Sequence, residues 1–258
     1  MRRSLVLAYG LVNYAGFLGV FLYLAGFLGN LLVPRGIDSP AEGPLWVAVL
    51  VNTLLIAVFG LQHTVMARPT FKQWWTRFVP EPIERSTYVL LTNAALILLF
   101  WQWRPMGGVV WDVAHPAGRA ALYGLFAFGW LTVFVSTVLI NHFDLFGLRQ
   151  VWLYFRGKPY THLGFQTPGP YRYVRHPLYV GWITAFWATP TMTVAHLLFA
   201  AGMTAYILIA IRFEERNLVD YHGEAYAEYR RNVPMLIPRP SRRNPQGERV
   251  ADPVSTAV

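Results

Sequence analysis

A polar, aromatic segment at residues 169–181 combines more chemistry-bearing side chains than any other short stretch, and its sequence is Gly-Pro-Tyr-Arg-Tyr-Val-Arg-His-Pro-Leu-Tyr-Val-Gly. Each of its two prolines pushes the preceding residue out of the helical region and then suits the first turn of a helix. A helix that begins near Leu178 directs unpaired N–H groups and a positive dipole end at the segment, which suits a carboxylate or a phosphate. Tyr171, Tyr173 and Tyr179 offer faces that stack on a planar base or attract a cation. The segment predicts a ligand site, although an aromatic belt at a membrane surface explains it equally well.

Two adjacent carboxylates, Glu214 and Glu215, follow the last apolar segment. Carboxylates near the carboxyl end of a helix oppose its dipole unless they are paired. Arg212 lies three residues before Glu215, so a continuing helix places both on one face, where they can pair. A carboxylate in this position is suited to hold ribose hydroxyls or an amino group. The alternative is an amphipathic cytoplasmic helix with a solvated charged face.

The composition indicates a protein with several membrane-spanning helices. Of its 258 residues, 55% are hydrophobic, 16% are aromatic and only 14% are charged, which is too apolar for an ordinary soluble domain. We predict an all-α integral membrane bundle of five or six transmembrane helices, in which a short fifth segment forms one arm of a helical hairpin. The predicted spans are residues 5–33, 45–66, 87–103, 119–140, 178–189 and 193–211.

Basic residues are strongly biased to one side of these spans. Of the 22 Lys and Arg residues, all but Arg35, Arg104 and Arg119 lie at the amino terminus, in the second and fourth loops or after the last span. By the positive-inside rule, both termini and the segment 169–181 face the cytoplasm. We therefore expect an integral protein of the inner membrane that draws its ligand from the cytoplasm. The net charge of +9 suits anionic membrane lipid, and no nucleic-acid partner is expected.

The chain contains no cysteine. This excludes disulfides, thiolate nucleophiles and cysteine-based metal sites, so any sulfur chemistry uses sulfur supplied by a ligand. No metal is expected either, because no two histidines have helical i, i+4 spacing beside a carboxylate. We predict a single membrane domain over residues 1–238 and a disordered cytoplasmic tail over residues 239–258, where apolar residues are scarce.

The two motifs together resemble the signature of the isoprenylcysteine carboxyl methyltransferase superfamily. The first half is the segment 169–181, and the second half is Glu-Glu-x-x-Leu at 214–218 followed by Gly-x-x-Tyr-x-x-Tyr at 223–229. The resemblance covers residues 167–238. It implies a cradle for S-adenosylmethionine, built by the hairpin and a cytoplasmic amphipathic helix instead of a Rossmann fold, with S-adenosylhomocysteine as the product. The cofactor-binding residues that it implies are Tyr171, Tyr173, Val174, Arg175, His176, Pro177, Tyr179, Gly181, Glu214, Glu215, Leu218, Tyr226 and Tyr229.

Three further segments, residues 61–69, 84–88 and 141–150, lie on the predicted cytoplasmic side and are expected to form the acceptor end of the site. They resemble a branch of the same superfamily that converts methanethiol to dimethyl sulfide. This extends the resemblance to residues 61–238 and implies methyl transfer to methanethiol or to hydrogen sulfide. The substrate-binding residues that we predict are Gln62, His63, Glu84, Arg85, Tyr88 and Arg212.

Methyl transfer from a sulfonium to a thiol is an in-line displacement that needs a thiolate opposite the leaving sulfur and exclusion of water. A free thiol with a pKa of about 8.5 is mostly protonated at neutral pH, so a nearby histidine or arginine helps. His142, Asp144 and Arg149 are predicted as the base, its orienting carboxylate and a charge stabiliser. His63 is a second candidate base. A satisfied imidazole at the membrane surface explains each histidine as well.

Three alternatives to thiol methylation stay open. The same cradle serves enzymes that methylate a prenylated cysteine or a lipid headgroup amine. Related hairpins bind nicotinamide cofactors, so an NADPH enzyme similar to sterol reductases is the second alternative. The third is a transporter or assembly factor that uses the hairpin only as a structural element.

Overall fold

The computed structural model describes residues 3–161 and 163–239, and the predicted tail therefore lies outside the described residues except for Arg239. The described chain is mostly helical, with one short pair of strands. Its elements in chain order are α1 (Arg3–Gly29), α2 (Leu45–Met66), α3 (Pro69–Trp75), α4 (Glu81–Gln102), β1 (Val109–Asp112), α5 (Pro116–Ile140), α6 (His142–Leu145), α7 (Leu148–Phe155), a 3₁₀ turn (Gly169–Arg172), α8 (Pro177–Trp187), β2 (Thr191–Thr193), α9 (Val194–His222) and α10 (Glu224–Asn232).

Five of these helices, α1, α2, α4, α5 and α9, are long and apolar enough to cross a bilayer. Large apolar side chains such as Trp46 and Trp101 are exposed on them, which is the pattern expected for helices that face lipid. The buried core lies between these helices and α8, around Phe27, Leu99 and Phe199. The prediction of an all-α polytopic membrane protein is confirmed, and the chain is an integral membrane protein.

Two helices, α4 and α9, extend by more than one turn beyond the predicted spans. α4 begins at Glu81 because Pro82 suits the first helical turn and because Glu81 and Glu84 match the positive end of the dipole. α9 continues to His222 as one helix of 29 residues. The two adjacent carboxylates near its end therefore lie inside a helix, which removes the conflict with the dipole that was expected for them.

The short fifth segment corresponds to α8, which has 11 residues and is therefore about 16 Å long. After α8 the chain becomes extended, and β2 pairs antiparallel with β1 through Thr193 opposite Val109 and Thr191 opposite Asp112. β1 connects α4 to α5 and β2 connects α8 to α9, so both connections lie at one end of the bundle. α8 and β2 together carry the chain to that end, and α9 returns it.

Both ends of the described chain lie at the opposite end of the bundle, beside the segment 169–181. Near the start of α1, Tyr9 Oη lies 3.0 Å from Thr87 Oγ1 near the start of α4. The guanidinium of Arg68, just after α2, lies 3.9 Å from the ring centre of Phe213 near the end of α9. We call this end of the bundle the site end, and we call the end that carries β1 and β2 the strand end.

A buried polar network holds the strand end together. Asp38, between α1 and α2, accepts hydrogen bonds from Asn30 Nδ2 at 2.7 Å and from Thr193, and it lies 3.2 Å from His196 Nδ1. His196 Nε2 lies 3.0 Å from the carbonyl oxygen of Phe186. Burial alone would raise the pKa of Asp38, but the contacts with His196, Thr193 and Asn30 together outweigh burial and hold that pKa below its usual value. The network ties the α1–α2 loop to α8 and α9.

A cavity of about 430 Å³ also lies at the strand end, between the α1–α2 loop, the start of α5 and residues 188–191. Arg119 and Tyr123 are among its lining residues. None of its lining residues belongs to the predicted site, so this cavity is not the place of the predicted chemistry.

α5 and α8 pack with their backbones in direct contact. A Cβ atom on Gly129 of α5 would lie 2.7 Å from Ala185 N, and a Cβ atom on Gly181 of α8 would lie 2.8 Å from Gly129 O. Helices approach this closely only where small residues meet, as in many membrane helix pairs. The contact fixes α8, and with it the segment 169–181, against α5.

Replacement of Gly129 by Ala is expected to destabilise the fold by about 1–3 kcal/mol, because the added methyl group forces α5 and α8 apart. Gly124→Ala on the same helix is the matched control, since a Cβ atom there meets nothing within 4 Å. Thermal unfolding of both variants in detergent measures the difference. Equal melting temperatures for the two variants would show that the backbones are not in contact at Gly129.

Candidate active site

The segment 169–181 folds into the 3₁₀ turn and the start of α8. Gly169 begins the turn with a φ of +54°, a conformation that glycine adopts without strain. The backbone N–H groups of Arg175 and His176 donate to Pro234 O at 2.8 Å and to Met235 O at 3.2 Å. The chain after α10 thus folds back and binds the segment through its main chain.

Arg175, His176 and Glu215 form a buried ionic cluster between the segment and α9. Arg175 Nε donates to Glu215 Oε1 at 2.7 Å, and His176 Nε2 lies 3.0 Å from the same oxygen. Arg175 Nη1 donates to Arg230 O at 2.9 Å and to Val233 O. The three side chains are between 5% and 12% exposed, so the loss of one partner would leave a buried charge without compensation.

Glu214 faces the open part of the site. Its Oε2 accepts a hydrogen bond from Tyr179 Oη at 2.8 Å, and its side chain is 44% exposed. The two adjacent carboxylates therefore differ: Glu215 is locked inside, and Glu214 is accessible to a ligand. The predicted pair of Arg212 with Glu215 is wrong, because Arg212 is exposed and Glu215 binds Arg175 instead.

Aromatic side chains from the segment, α10 and the preceding loop form one wall of the site. Tyr229 Oη donates to Tyr171 O at 2.5 Å, which joins α10 to the 3₁₀ turn. The ring of Phe165 packs edge-on against Tyr226 and Tyr229. Tyr226 is buried, and its hydroxyl has no hydrogen-bond partner among the residues that the structure describes. Burial raises the pKa of Tyr226, so this hydroxyl stays protonated and can donate to a ligand.

The other residues predicted for the cofactor have different surroundings. Val174 and Pro177 are buried, and Leu218 is half-buried on α9. Tyr173 is 70% exposed, whereas Gly181 makes the contact with α5 described above. Sequence reasoning does not identify Phe165, because a single aromatic residue in an irregular loop gives no periodic signal.

A second group of predicted residues meets between α2, α4 and α9. The His63 ring stacks on Phe59 with centroids 5.4 Å apart and lies 5.1 Å from the Tyr88 ring. Tyr88 Oη donates to His63 O at 3.3 Å, and Thr64 Oγ1 donates to Tyr206 Oη at 3.4 Å. Tyr206 is a second site residue that the sequence does not single out, since it lies within a long apolar helix.

The remaining predicted substrate residues border this group. Gln62 Nε2 donates to Met66 Sδ at 3.3 Å, and Glu84 is half-buried in the first turn of α4. The guanidinium of Arg85 lies 5.7 Å from the centre of the Tyr88 ring. Gln62, Glu84, Arg85 and Tyr88 thus come from two helix ends that meet at the site end.

Glu214 connects the cluster of Arg175, His176 and Glu215 with the aromatic group around His63. Its negative charge acts on the hydroxyls of Tyr88 on α4, Tyr179 on α8 and Tyr206 on α9. The carboxylate therefore lies between the ionic cluster of the segment and the aromatic group that includes His63. This is the geometry expected where a donor site and an acceptor site share a boundary.

His142 is held by two hydroxyl groups, and the predicted contact with Asp144 is not formed. His142 Nδ1 lies 2.8 Å from Thr137 Oγ1, and Nε2 lies 2.8 Å from Tyr14 Oη. Asp144 Oδ1 accepts a hydrogen bond from Arg149 Nη1 at 3.0 Å. Burial lowers the pKa of the His142 imidazole, so the ring is neutral at physiological pH.

The Asp144–Arg149 pair fastens the loop that follows α7. Arg149 donates to Thr161 O at 2.7 Å and to Thr161 Oγ1 at 2.8 Å. Tyr160 Oη donates to Asp144 Oδ2 at 3.3 Å. Burial, with the neighbouring Asp144 charge, raises the pKa of Tyr160. The three predicted catalytic residues His142, Asp144 and Arg149 therefore do not form one relay.

The lowered pKa of His142 predicts a loss of stability in acid. Below about pH 6.5 the unfolded chain binds more protons at this site than the folded chain, so the stabilisation is present above that pH and is lost as the pH falls. We expect the melting temperature of the wild type to fall between about pH 7.5 and pH 5.5 by more than that of His142→Gln. His115→Gln, at an exposed histidine of the strand end, is the control and should keep the wild-type dependence. The same dependence in His142→Gln and the wild type would contradict a buried neutral His142.

The phospholipid methyltransferase family model matches residues 121–225. This range contains most of α5, the whole segment 169–181, α8, α9 and both adjacent carboxylates. This match, the membrane-crossing helices and the relatives described next identify a methyltransferase embedded in the membrane.

Individual relatives extend this match over nearly the whole chain. The methanethiol S-methyltransferase of Mycobacterium tuberculosis is 57% identical over 242 residues, which cover 94% of this chain and 99% of that protein. The methanethiol S-methyltransferase of Crocosphaera subtropica is 56% identical over 238 residues, with coverage of 92% and 93%. Nurim from Mus musculus is 30% identical over 173 residues, with coverage of 64% and 65%, and no solved structure matches the chain. The chain belongs to the methanethiol S-methyltransferase family.

Proposed function

We propose that the protein transfers the methyl group of S-adenosylmethionine to methanethiol and so forms dimethyl sulfide and S-adenosylhomocysteine. The observation that carries the proposal is the accessible Glu214 carboxylate, which lies between the buried Arg175–Glu215 pair and the aromatic group around His63. The choice of acceptor is supported by relatives that are 50–57% identical over most of the chain and are each named a methanethiol S-methyltransferase.

The residues at the cradle fit this methyl donor. S-adenosylmethionine carries a sulfonium and an ammonium group, and Glu214 supplies an accessible negative charge. The unpaired buried hydroxyl of Tyr226 supplies a hydrogen-bond donor, and the rings of Phe165 and Tyr226 supply surfaces for the base. When bound, the donor supplies an electrophilic methyl group. The residues that we propose to hold or frame it are Phe165, Tyr171, Arg175, His176, Tyr179, Glu214, Glu215, Tyr226 and Tyr229.

The acceptor is proposed to lie on the other side of Glu214, among His63, Tyr88 and Tyr206. The thiol loses its proton to bulk water, its sulfur bonds to the methyl carbon, and the electron pair of the broken carbon–sulfur bond stays on the leaving sulfur. The aromatic rings around this space exclude water and suit a small apolar thiol. His142 and the Asp144–Arg149 pair hold α6, α7 and the loop after them in place. We propose that these residues position the acceptor site and do not take part in the chemical step.

We also propose that the site end faces the cytoplasm in the inner membrane. Most of the Lys and Arg residues belong to loops and helix ends at this end. The methyl donor is a charged cytoplasmic molecule, so this orientation gives it direct access to Glu214. Residues 1–238 are proposed to act as one membrane domain.

Purified full-length protein in detergent tests the proposed function directly. We expect labelled S-adenosylmethionine and methanethiol to give labelled dimethyl sulfide in the headspace. Hydrogen sulfide and a prenylated cysteine peptide are the comparison acceptors, and the peptide should stay unlabelled. Calorimetry should show binding of S-adenosylhomocysteine but not of NADPH.

Each alternative has its own result in this experiment. Labelled peptide without dimethyl sulfide would move the acceptor to a prenylated cysteine. Binding of NADPH in place of S-adenosylhomocysteine would favour a reductase, and the absence of both would favour a role other than catalysis. Any of these three results overturns the proposal.

A further inference from the structure

Arg85 is a half-buried cation without an anion. It lies in the first turns of α4, and across residues 3–161 and 163–239 no carboxylate oxygen lies within 4 Å of its guanidinium. Its guanidinium also lies 5.7 Å from the centre of the Tyr88 ring. Two other arginines of the site end, Arg149 and Arg175, have carboxylate partners at 3.0 Å and 2.7 Å. A partly desolvated cation with no partner is costly, which indicates that an anion joins it.

The backbone of Arg85 is held firmly in place by the turn between α6 and α7. Gly147 has a φ of +86°, and a Cβ atom there would lie 2.7 Å from Ser86 Oγ and 3.2 Å from Arg85 C. The turn therefore packs directly on the backbone of α4. The Asp144–Arg149 pair closes the same region, so these residues act as the support for Arg85.

The guanidinium is directed towards the acceptor group. Its charge acts on His63 and Tyr88, and the Glu214 charge also acts on Tyr88. A positive and a negative group thus both lie near Tyr88. The titratable groups on which the Arg85 charge acts are Tyr88 on α4, His63 on α2, Lys72 on α3 and Tyr160 after α7. Tyr88 is also acted on by Glu84 on α4 and by Glu214 and Tyr206 on α9.

The position of Arg85 beside the ring of Tyr88, at the edge of the acceptor group, suits an anionic form of the acceptor. A thiol with a pKa of about 8.5 is mostly protonated at pH 7, and the thiolate is the nucleophile. A cation at hydrogen-bond distance stabilises the thiolate directly.

We propose that Arg85 binds the sulfur of the acceptor as a thiolate and makes it the nucleophile. This inference rests on the proposed function and adds the group that ionises the acceptor. The thiol proton leaves to bulk water as the thiolate binds. The thiolate sulfur then bonds to the methyl carbon, and the bond from that carbon to the sulfonium sulfur breaks with its electron pair on the leaving sulfur. Arg85 stays a cation throughout, so the site needs no strong base.

The test compares Arg85→Met, Arg85→Lys and the wild type. Removal of the cation should lower kcat/KM for methanethiol at pH 7 by about 10- to 100-fold, because a charged hydrogen bond of ordinary strength is lost. The pH profile of kcat, which reports the ionisation of the bound thiol, should shift upwards by about one to two units. Arg85→Lys should keep most of the wild-type profile. A methyl selenol, which is a stronger acid than a thiol and is ionised at pH 7, should restore much of the rate of Arg85→Met. Arg77→Met, at an exposed arginine between α3 and α4, is the matched control and should match the wild type.

Calorimetry with S-adenosylhomocysteine separates the role of Arg85 from loss of the fold or of the donor site. Unchanged affinity in Arg85→Met, together with the shifted profile, supports the proposal. An unshifted profile overturns it, as does a selenol that restores nothing. If Arg85→Met does not bind S-adenosylhomocysteine, the same measurements are made on Arg85→Gln. Loss of S-adenosylhomocysteine binding in both variants would assign Arg85 to the donor site and overturn the proposal. Failure of the wild type to form dimethyl sulfide refutes the proposed function instead.

Discussion

The buried carboxylate of Glu215 is the contact on which the site end depends. It binds Arg175 at 2.7 Å and His176 at 3.0 Å, and so joins α9 to a segment 40 residues earlier in the chain. Adjacent residues of a helix point about 100° apart, so an inward Glu215 leaves Glu214 directed towards the open part of the site. Arg175 also binds the main chain after α10. One buried cluster therefore positions the accessible carboxylate, the aromatic wall and the end of the domain together.

The membrane fold supplies a rigid frame for this cluster. Pro177 begins α8, and Gly129 holds one face of α8 against α5. The strand pair and the Asp38–His196 network hold the chain that follows α8. Because α8 is too short to cross a bilayer as a helix, extended residues complete its path. The unusual part of the fold thus lies where the segment 169–181 has to be held against α5 and α9.

The sequence predicted the helical membrane fold and the grouping of the two motifs, since apolar length and the order of motif residues are both local features. Helix ends were harder to predict. α9 runs on to His222, and the charge of its inward carboxylate, Glu215, is neutralised by Arg175, which is distant in sequence. For the same reason the sequence suggested Arg212 as the partner of Glu215. Phe165 and Tyr206 have no local pattern that marks them, and only the packing of loop and helices brings them to the site. The role of each predicted site residue in binding stays a prediction.

A double-mutant cycle on Arg175 and Glu215, read out by the affinity for S-adenosylhomocysteine, tests most directly whether the buried cluster builds the donor site. Arg175→Met and Glu215→Met each leave a buried charge unpaired, which costs about 3–5 kcal/mol in comparable pairs, whereas the double variant leaves neither. If the buried cluster builds the donor site, each single variant loses at least about 10-fold in affinity for S-adenosylhomocysteine, and the double variant binds it at least as tightly as either single variant. Independent, additive losses, or single variants with wild-type affinity, would contradict it.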